Sequence, residues 1–76
     1  MQQTITAGDH LNIRVFGEDG LSGIYTVQDG GVLHLPLLGL VDINGLGVQQ
    51  MAELIADAYQ SARILKNPDI RVERLP

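Results

Sequence analysis

The hydrophobic and polar positions of this chain change period several times between residues 11 and 75. Leu11, Ile13 and Val15 alternate with Asn12, Arg14 and Phe16, the period of two expected of a strand with one buried face. Residues 24–28 (IYTVQ) are largely β-branched and aromatic, which also favours a strand. Residues 32–37 (VLHLPL) come after Asp29-Gly30, and an Asp-Gly pair between apolar runs is a strong hairpin signal because both central residues of the favoured turn need positive φ. The pattern therefore predicts strands at 24–28 and 32–37, paired antiparallel across that turn. Pro36 has no amide hydrogen for a ladder and predicts a sheet edge, a bulge or a strand end. Gly39 predicts a bend. Val41 and Ile43 then share one face and Leu40 and Asp42 the other, giving a strand at 40–43 that Asn44-Gly45 closes as a turn. The run over residues 32–47, VLHLPLLGLVDINGLG, is too short and too punctuated to cross a membrane as a helix.

From Val48 the period lengthens. Val48, Met51, Ile55, Ala58, Ala62 and Leu65 recur at steps of three and four, and Leu54 and Tyr59 widen the stripe. Gln49, Gln50, Glu53, Asp57, Gln60 and Arg63 lie away from it. This predicts an amphipathic helix of about five turns. Gly47 is a modest N-cap. Glu53 and Asp57 fall toward the start and Arg63 and Lys66 toward the end, as a helix dipole favours. Asn67-Pro68 stops it, since a residue before proline leaves the α region. Residues 69–75 (DIRVERL) alternate again, with Ile70 and Val72 inward and Arg71 and Glu73 outward. Ahead of all this, residues 2–4 read as an unstructured lead. Residues 7–10 (AGDH) read as a turn in which Asp9 accepts from nearby amides, and 17–23 (GEDGLSG) as a loop. The order is β-β-β-β-α-β. One helix laid on a small mixed or antiparallel sheet of about five strands gives a two-layer α+β domain.

A length of 76 residues allows a single domain, ordered over about residues 6–75, that buries roughly 60% of its unfolded-chain surface. With 45% hydrophobic and 18% charged residues the chain has a folding composition rather than a disordered one. It has no cysteine, which excludes disulfides and thiolate metal sites. The net charge is −4, and the five basic residues form no run, which argues against nucleic acid as a partner.

Candidate chemistry is sparse. His10 and His34 are far apart in sequence, and Asp9 is the only neighbouring carboxylate that could join either in a metal site, which needs three or four ligands. A Ser-His-Asp array could draw on Ser22, His34 and Asp42, but nothing in their spacing favours it. Ser22 lacks a G-x-S-x-G setting. Glu18 and Asp19 are adjacent rather than facing across a cleft, unlike a glycosidase pair. The glycines match neither G-x-G-x-x-G nor a G-K-[ST] loop. No catalytic, cofactor or metal site is expected. Loop 17–23, polar, glycine-rich and held by two strands, is the best candidate for an interaction loop, through Glu18, Asp19, Leu21 and Ser22.

Taken in order, the punctuation carries a family pattern. Gly8-Asp9 is followed by Val15-Phe16-Gly17, Leu21-Ser22-Gly23, Asp29-Gly30 and residues 35–39 (LPLLG) with Pro36 and Gly39. Gly45-Leu46 then precedes the helix, and Asn67-Pro68 the last strand. With these spacings the chain, over about residues 6–75, resembles the N-terminal domain of polysaccharide biosynthesis/export outer-membrane proteins. It departs from their pattern at Gly47, where threonine is usual, and at His10, where a small apolar residue is usual.

The resemblance implies a non-catalytic scaffold in the export of a capsule or exopolysaccharide, at the periplasmic end of an outer-membrane translocation ring. It implies as partners other copies in the ring, the inner-membrane co-polymerase and polymerisation machinery, and the polysaccharide chain. It also implies further β-grasp and membrane-spanning modules, so this chain is expected to be one domain of a longer protein or a short relative. An isolated domain of this acidity can be monomeric even where the whole protein forms rings. Two other readings stand beside this one. The first is a free-standing periplasmic carbohydrate- or protein-binding module, since fold does not fix function; the second is a small hydrolase built on Ser22 or His34.

Overall fold

The computed structural model describes residues 4–76. The predicted lead at residues 2–4 lies outside the described residues except for Thr4, which is exposed and irregular. Six elements follow in the expected order: β1 (His10–Val15), β2 (Gly23–Thr26), β3 (Val32–Leu35), β4 (Gly39–Asp42), α1 (Val48–Ser61) and β5 (Ile70–Arg74). All strand pairs are antiparallel. The strands form two small sheets, a three-stranded one in the order β2-β1-β5 and a two-stranded one made of β3 and β4.

The α+β class and the element order agree with the sequence, but the pairing differs around Asp29-Gly30. The expected ladder between residues 24–28 and 32–37 shrinks to a single bridge, Gln28 to Val32. The chain reverses there, with Gly31 N–H donating to Gln28 O at 3.1 Å. Positive φ falls on Gly30 and Gly31 and not on Asp29. Each strand finds another partner. Val27 donates to Asp9 O at 2.9 Å and accepts from Gly8 N–H at 2.8 Å, extending β2 along the approach to β1. Gly31 O accepts from Ile43 N–H at 2.9 Å, drawing the turn onto the end of β4. Strand β3 stops at Leu35 because Pro36 begins a turn, the strand-end outcome among those expected of it.

Alternation is obeyed where it was clearest. Leu11, Ile13 and Val15 are buried, as are Leu33, Leu35, Ile43 and Val72. Helix α1 packs along β5 and sends Met51, Ile55 and Tyr59 into the same core. Each is worth about 1.5–3 kcal/mol of burial. Ile5 joins them, fully buried, with its N–H on Leu46 O at 2.8 Å. A lone isoleucine in a polar stretch gave no periodic signal.

The helix is shorter than the stripe suggested. It ends at Ser61, so Arg63, Lys66 and Asn67-Pro68 lie beyond it, and neither its first turn nor its last carries the expected charge. Arg63 adopts a left-handed conformation, φ 60°. Its N–H bonds Gln60 O at 3.0 Å and the N–H of Ile64 bonds Tyr59 O at 3.0 Å, the paired bonds of a Schellman cap. Ala62 and Leu65 continue the period of the stripe without continuing the helix. At the other end Gln50 Oε1 accepts from the N–H of Gly47 at 3.0 Å. This is one half of a capping box, and glycine has no side chain to supply the other.

Candidate functional site

Loop 17–23 is closely built. The Ser22 hydroxyl accepts from Val15 N–H at 2.9 Å and has two carbonyls to donate to, Glu18 O at 3.0 Å and Val15 O at 3.1 Å. Glu18 N–H reaches Val15 O at 3.0 Å, and Leu21 N–H reaches Glu18 O at 3.1 Å. The Leu21 side chain enters the core, and its carbonyl accepts from the Tyr25 hydroxyl at 2.8 Å. Burial pushes the Tyr25 phenol above its ordinary pKa, which keeps it a donor. Of the four candidate loop residues, Leu21 is thus an anchor and Ser22 a clamp, while Glu18 and Asp19 face solvent.

Beside this loop lies the tip of the β3–β4 hairpin. Leu38 N–H closes on Leu35 O at 3.3 Å. Pro36 takes the first central position and Leu37, at φ 69°, the second. That is the pattern of a type II turn, whose second central residue is normally glycine. Leu37 is also 76% exposed. Its left-handed backbone costs about 1 kcal/mol, and core packing cannot be the return. The turn is fixed to the helix by the Tyr59 hydroxyl, which donates to Pro36 O at 2.9 Å. Burial first, and the neighbouring Tyr25 second, raise the Tyr59 pKa. Glu18, Leu21, Pro36, Leu37, Ile64 and Leu65 together line a depression of about 450 Å³. Sequence reading missed Leu37 and Ile64. The signal for Leu37 was present, since a residue two after the start of a Pro-containing turn is a known position of positive φ.

The remaining candidates lie away from this depression. Asp9 Oδ2 accepts from Thr6 N–H at 3.0 Å and lies 3.2 Å from Arg74 Nη2. The Thr6 amide, followed by Arg74, holds its carboxyl below the usual aspartate range. Gly8, Asp29, Gly30, Gly39 and Gly45 stand at strand and turn junctions, and Asn67-Pro68 in the segment leading to β5. His10 Nδ1 lies 3.0 Å from Thr26 Oγ1. His34 points to solvent, opposite Leu33 and Leu35. Among the described residues no group of three or more histidine or acidic side chains could hold a metal ion, and no helix is long and apolar enough to cross a membrane. The structure brings Ser22 to backbone carbonyls and not to a histidine.

The depression is thus walled by a hydrogen-bonded loop and an exposed apolar turn. The family model for polysaccharide biosynthesis/export proteins matches residues 2–74. The chain belongs to that family. No curated protein matches it. The match spans every element from β1 to β5. The family is one of polysaccharide export, associated with periplasmic and outer-membrane proteins.

Proposed function

We propose that this export-family chain is a non-catalytic scaffold in a polysaccharide-export complex, acting at the periplasmic end of an outer-membrane translocation ring. Its partners in this reading are neighbouring copies in the ring, the inner-membrane polymerisation machinery and the polymer itself. The observation that carries the reading is Leu37. A leucine held in a glycine-favouring conformation and left exposed beside a preformed depression gains no core packing for its side chain. Strain of this kind clusters at functional sites, ligand clamps and switch regions among them. Two of the polar groups weighed for catalysis fit the same reading, because the Ser22 hydroxyl and the Asp42 carboxylate are hydrogen-bonded to local backbone in holding turns.

The test is photo-crosslinking in the native cell. A photoreactive residue replaces Leu37 or Asp19 in the encoded protein, and surface polysaccharide is measured alongside for Leu37→Asp. Expected are a ladder of crosslinked copies from both positions and loss of surface polymer in Leu37→Asp. Unchanged polymer in Leu37→Asp, with no crosslinks from either position, would overturn the proposal.

A further inference from the structure

The solvent face of the three-stranded sheet holds an arrangement that the fold does not require. In the β1–β5 ladder Arg14 stands directly opposite Arg71, and Asn12 opposite Glu73. On the other side Asn12 pairs with Ile24 of β2. Like charges directly opposite in an antiparallel pair sit about 5 Å apart at Cβ and destabilise the sheet. Neither arginine has an ion-pair partner among the described residues, in contrast to Arg74, which meets Asp9. The chain carries a net charge of −4 and only five basic side chains, so setting two of them together works against its overall sign. Phe16 continues the same face of β1 and is 51% exposed. Asn12, Arg14, Phe16, Arg71 and Glu73 line one shallow depression of about 250 Å³. Arg14 and Phe16 also line an adjoining one that runs toward loop 17–23.

We infer that this face binds a carboxylate-bearing sugar, a uronic acid residue of a polysaccharide. Two guanidinium groups side by side match a carboxylate with parallel, charge-assisted hydrogen bonds. The Phe16 ring offers a flat apolar surface for the C–H face of a pyranose, withdrawing both from water. Ile24, opposite Asn12, adds an exposed apolar side chain at the other end of the face. Asn12 both donates and accepts, and the Glu73 carboxylate accepts, which suits sugar hydroxyls. Two cations against one anion leave the depression net positive, so an acidic saccharide is favoured over a neutral one. The choice of a saccharide rests on the export reading above; the choice of an acidic one rests on the arginines.

The experiment is a titration of the 76-residue chain, followed by amide chemical shifts, with three probes of equal length: oligogalacturonate, neutral malto-oligosaccharide and oligoglutamate. Oligogalacturonate is expected to shift the amides of Asn12, Arg14, Phe16, Arg71 and Glu73, with affinity that falls as salt is added. Arg14→Gln and Arg71→Gln are each expected to weaken it roughly tenfold to a hundredfold. Arg→Lys at either position keeps the charge, loses the fork and falls between. Both arginines are exposed and mutually repulsive, so the glutamine variants should melt no lower than the parent chain, and thermal melts establish that lost binding is not lost folding.

Any of four results overturns the inference. They are no shifts on this face, equal response to the neutral oligomer, equal response to oligoglutamate, and concentration-dependent shifts of the same amides without ligand, which would make the face a contact between copies. The two proposals fail separately. Normal crosslinking and export with no oligogalacturonate binding sinks only the saccharide site. Binding with neither crosslinks nor an export phenotype sinks only the scaffold.

Discussion

Replacing Gly31 by alanine places a methyl carbon 2.7 Å from Asn44 Cβ and 2.9 Å from Asn44 Cα, at a backbone φ of +75°. Two separate costs follow. Left-handed backbone disfavours any side chain by about 1–2 kcal/mol, partly offset by the smaller entropy of the unfolded alanine chain. The contact adds the cost of overpacking, about 1–3 kcal/mol. That contact cannot be relieved by swinging a side chain, because one of the clashing atoms is backbone. The backbone is also held, since Ile43 N–H bonds Gly31 O at 2.9 Å and the Ile43 side chain is fully buried. The sum is about 2–4 kcal/mol. A domain of this size has roughly 4–11 kcal/mol in total at typical values per residue, so Gly31→Ala removes a large share of it.

Gly30 supplies the control. It has nearly the same conformation, φ +87°, but its added Cβ would meet nothing closer than Val32 Cγ2 at 4.0 Å. Gly30→Ala should therefore show only the conformational cost, about 1 kcal/mol. Urea unfolding followed by far-UV circular dichroism measures both variants, with m-values checked for constancy. At about 4–8 °C per kcal/mol, Gly31→Ala should melt roughly 8–32 °C below the parent. Asn44→Ala in the Gly31→Ala background should restore little, because Cβ and Cα remain. Equal losses at Gly30 and Gly31, within about 0.5 kcal/mol, would show that the close approach to Asn44 does not govern this turn.

The other predictions concern the corner around Leu37 and the approach to β1. Leu37→Gly and Arg63→Gly each relieve a left-handed non-glycine residue and should stabilise the chain by about 0.5–1 kcal/mol, measured by the same unfolding assay; destabilisation by either would refute the strain assigned to it. Tyr59→Phe leaves Pro36 O without its donor and should cost about 1 kcal/mol. The same variant should speed amide exchange at Leu38 more than at Ile13, and uniform acceleration would contradict a local tether. Asp9 has a lowered pKa, so its contribution is complete above the unfolded aspartate value, near about 4, and disappears as pH falls through the folded one. Asp9→Asn should accordingly lose less stability than the parent between about pH 6 and pH 3, and parallel pH profiles would reject the effect.

The legible parts of this fold were those where burial alone sets the pattern. Alternation over 11–16 and 69–75 follows from one face of β1 and β5 meeting the core, and needs no knowledge of partners. Partner choice was not legible. Asp29-Gly30 signalled a local hairpin correctly as a reversal, but Gly31 gives its carbonyl to Ile43, a bond between residues far apart in sequence. The helix end was hidden for a different reason. Ala62 and Leu65 keep the helical period, and the usual glycine of a Schellman cap is replaced by Arg63. At the candidate site Glu18 and Asp19 were legible as exposed loop residues. The roles of Leu21 and Ser22 as anchor and clamp were not, since both depend on where the end of β1 lies.

Leu37 and Arg63 are the only non-glycine residues with positive φ among those described. Leu37 lines the depression directly, and Arg63 immediately precedes Ile64 and Leu65, which line its other wall. Glycine would serve the local backbone better at both positions. Neither side chain is returned to the core, because both are exposed. The left-handed conformation closes both turns, through the Leu38–Leu35 bond and the paired bonds of Arg63 and Ile64, so what the monomer leaves unexplained is the side chain at each position and not the turn. The cost of about 1 kcal/mol that a side chain adds at each of these two exposed positions is not returned by core packing. Compensation from a bound neighbour would give both positions a reason, and the arginine-bearing sheet face, which shares no lining residue with that depression, would then be free for the polymer.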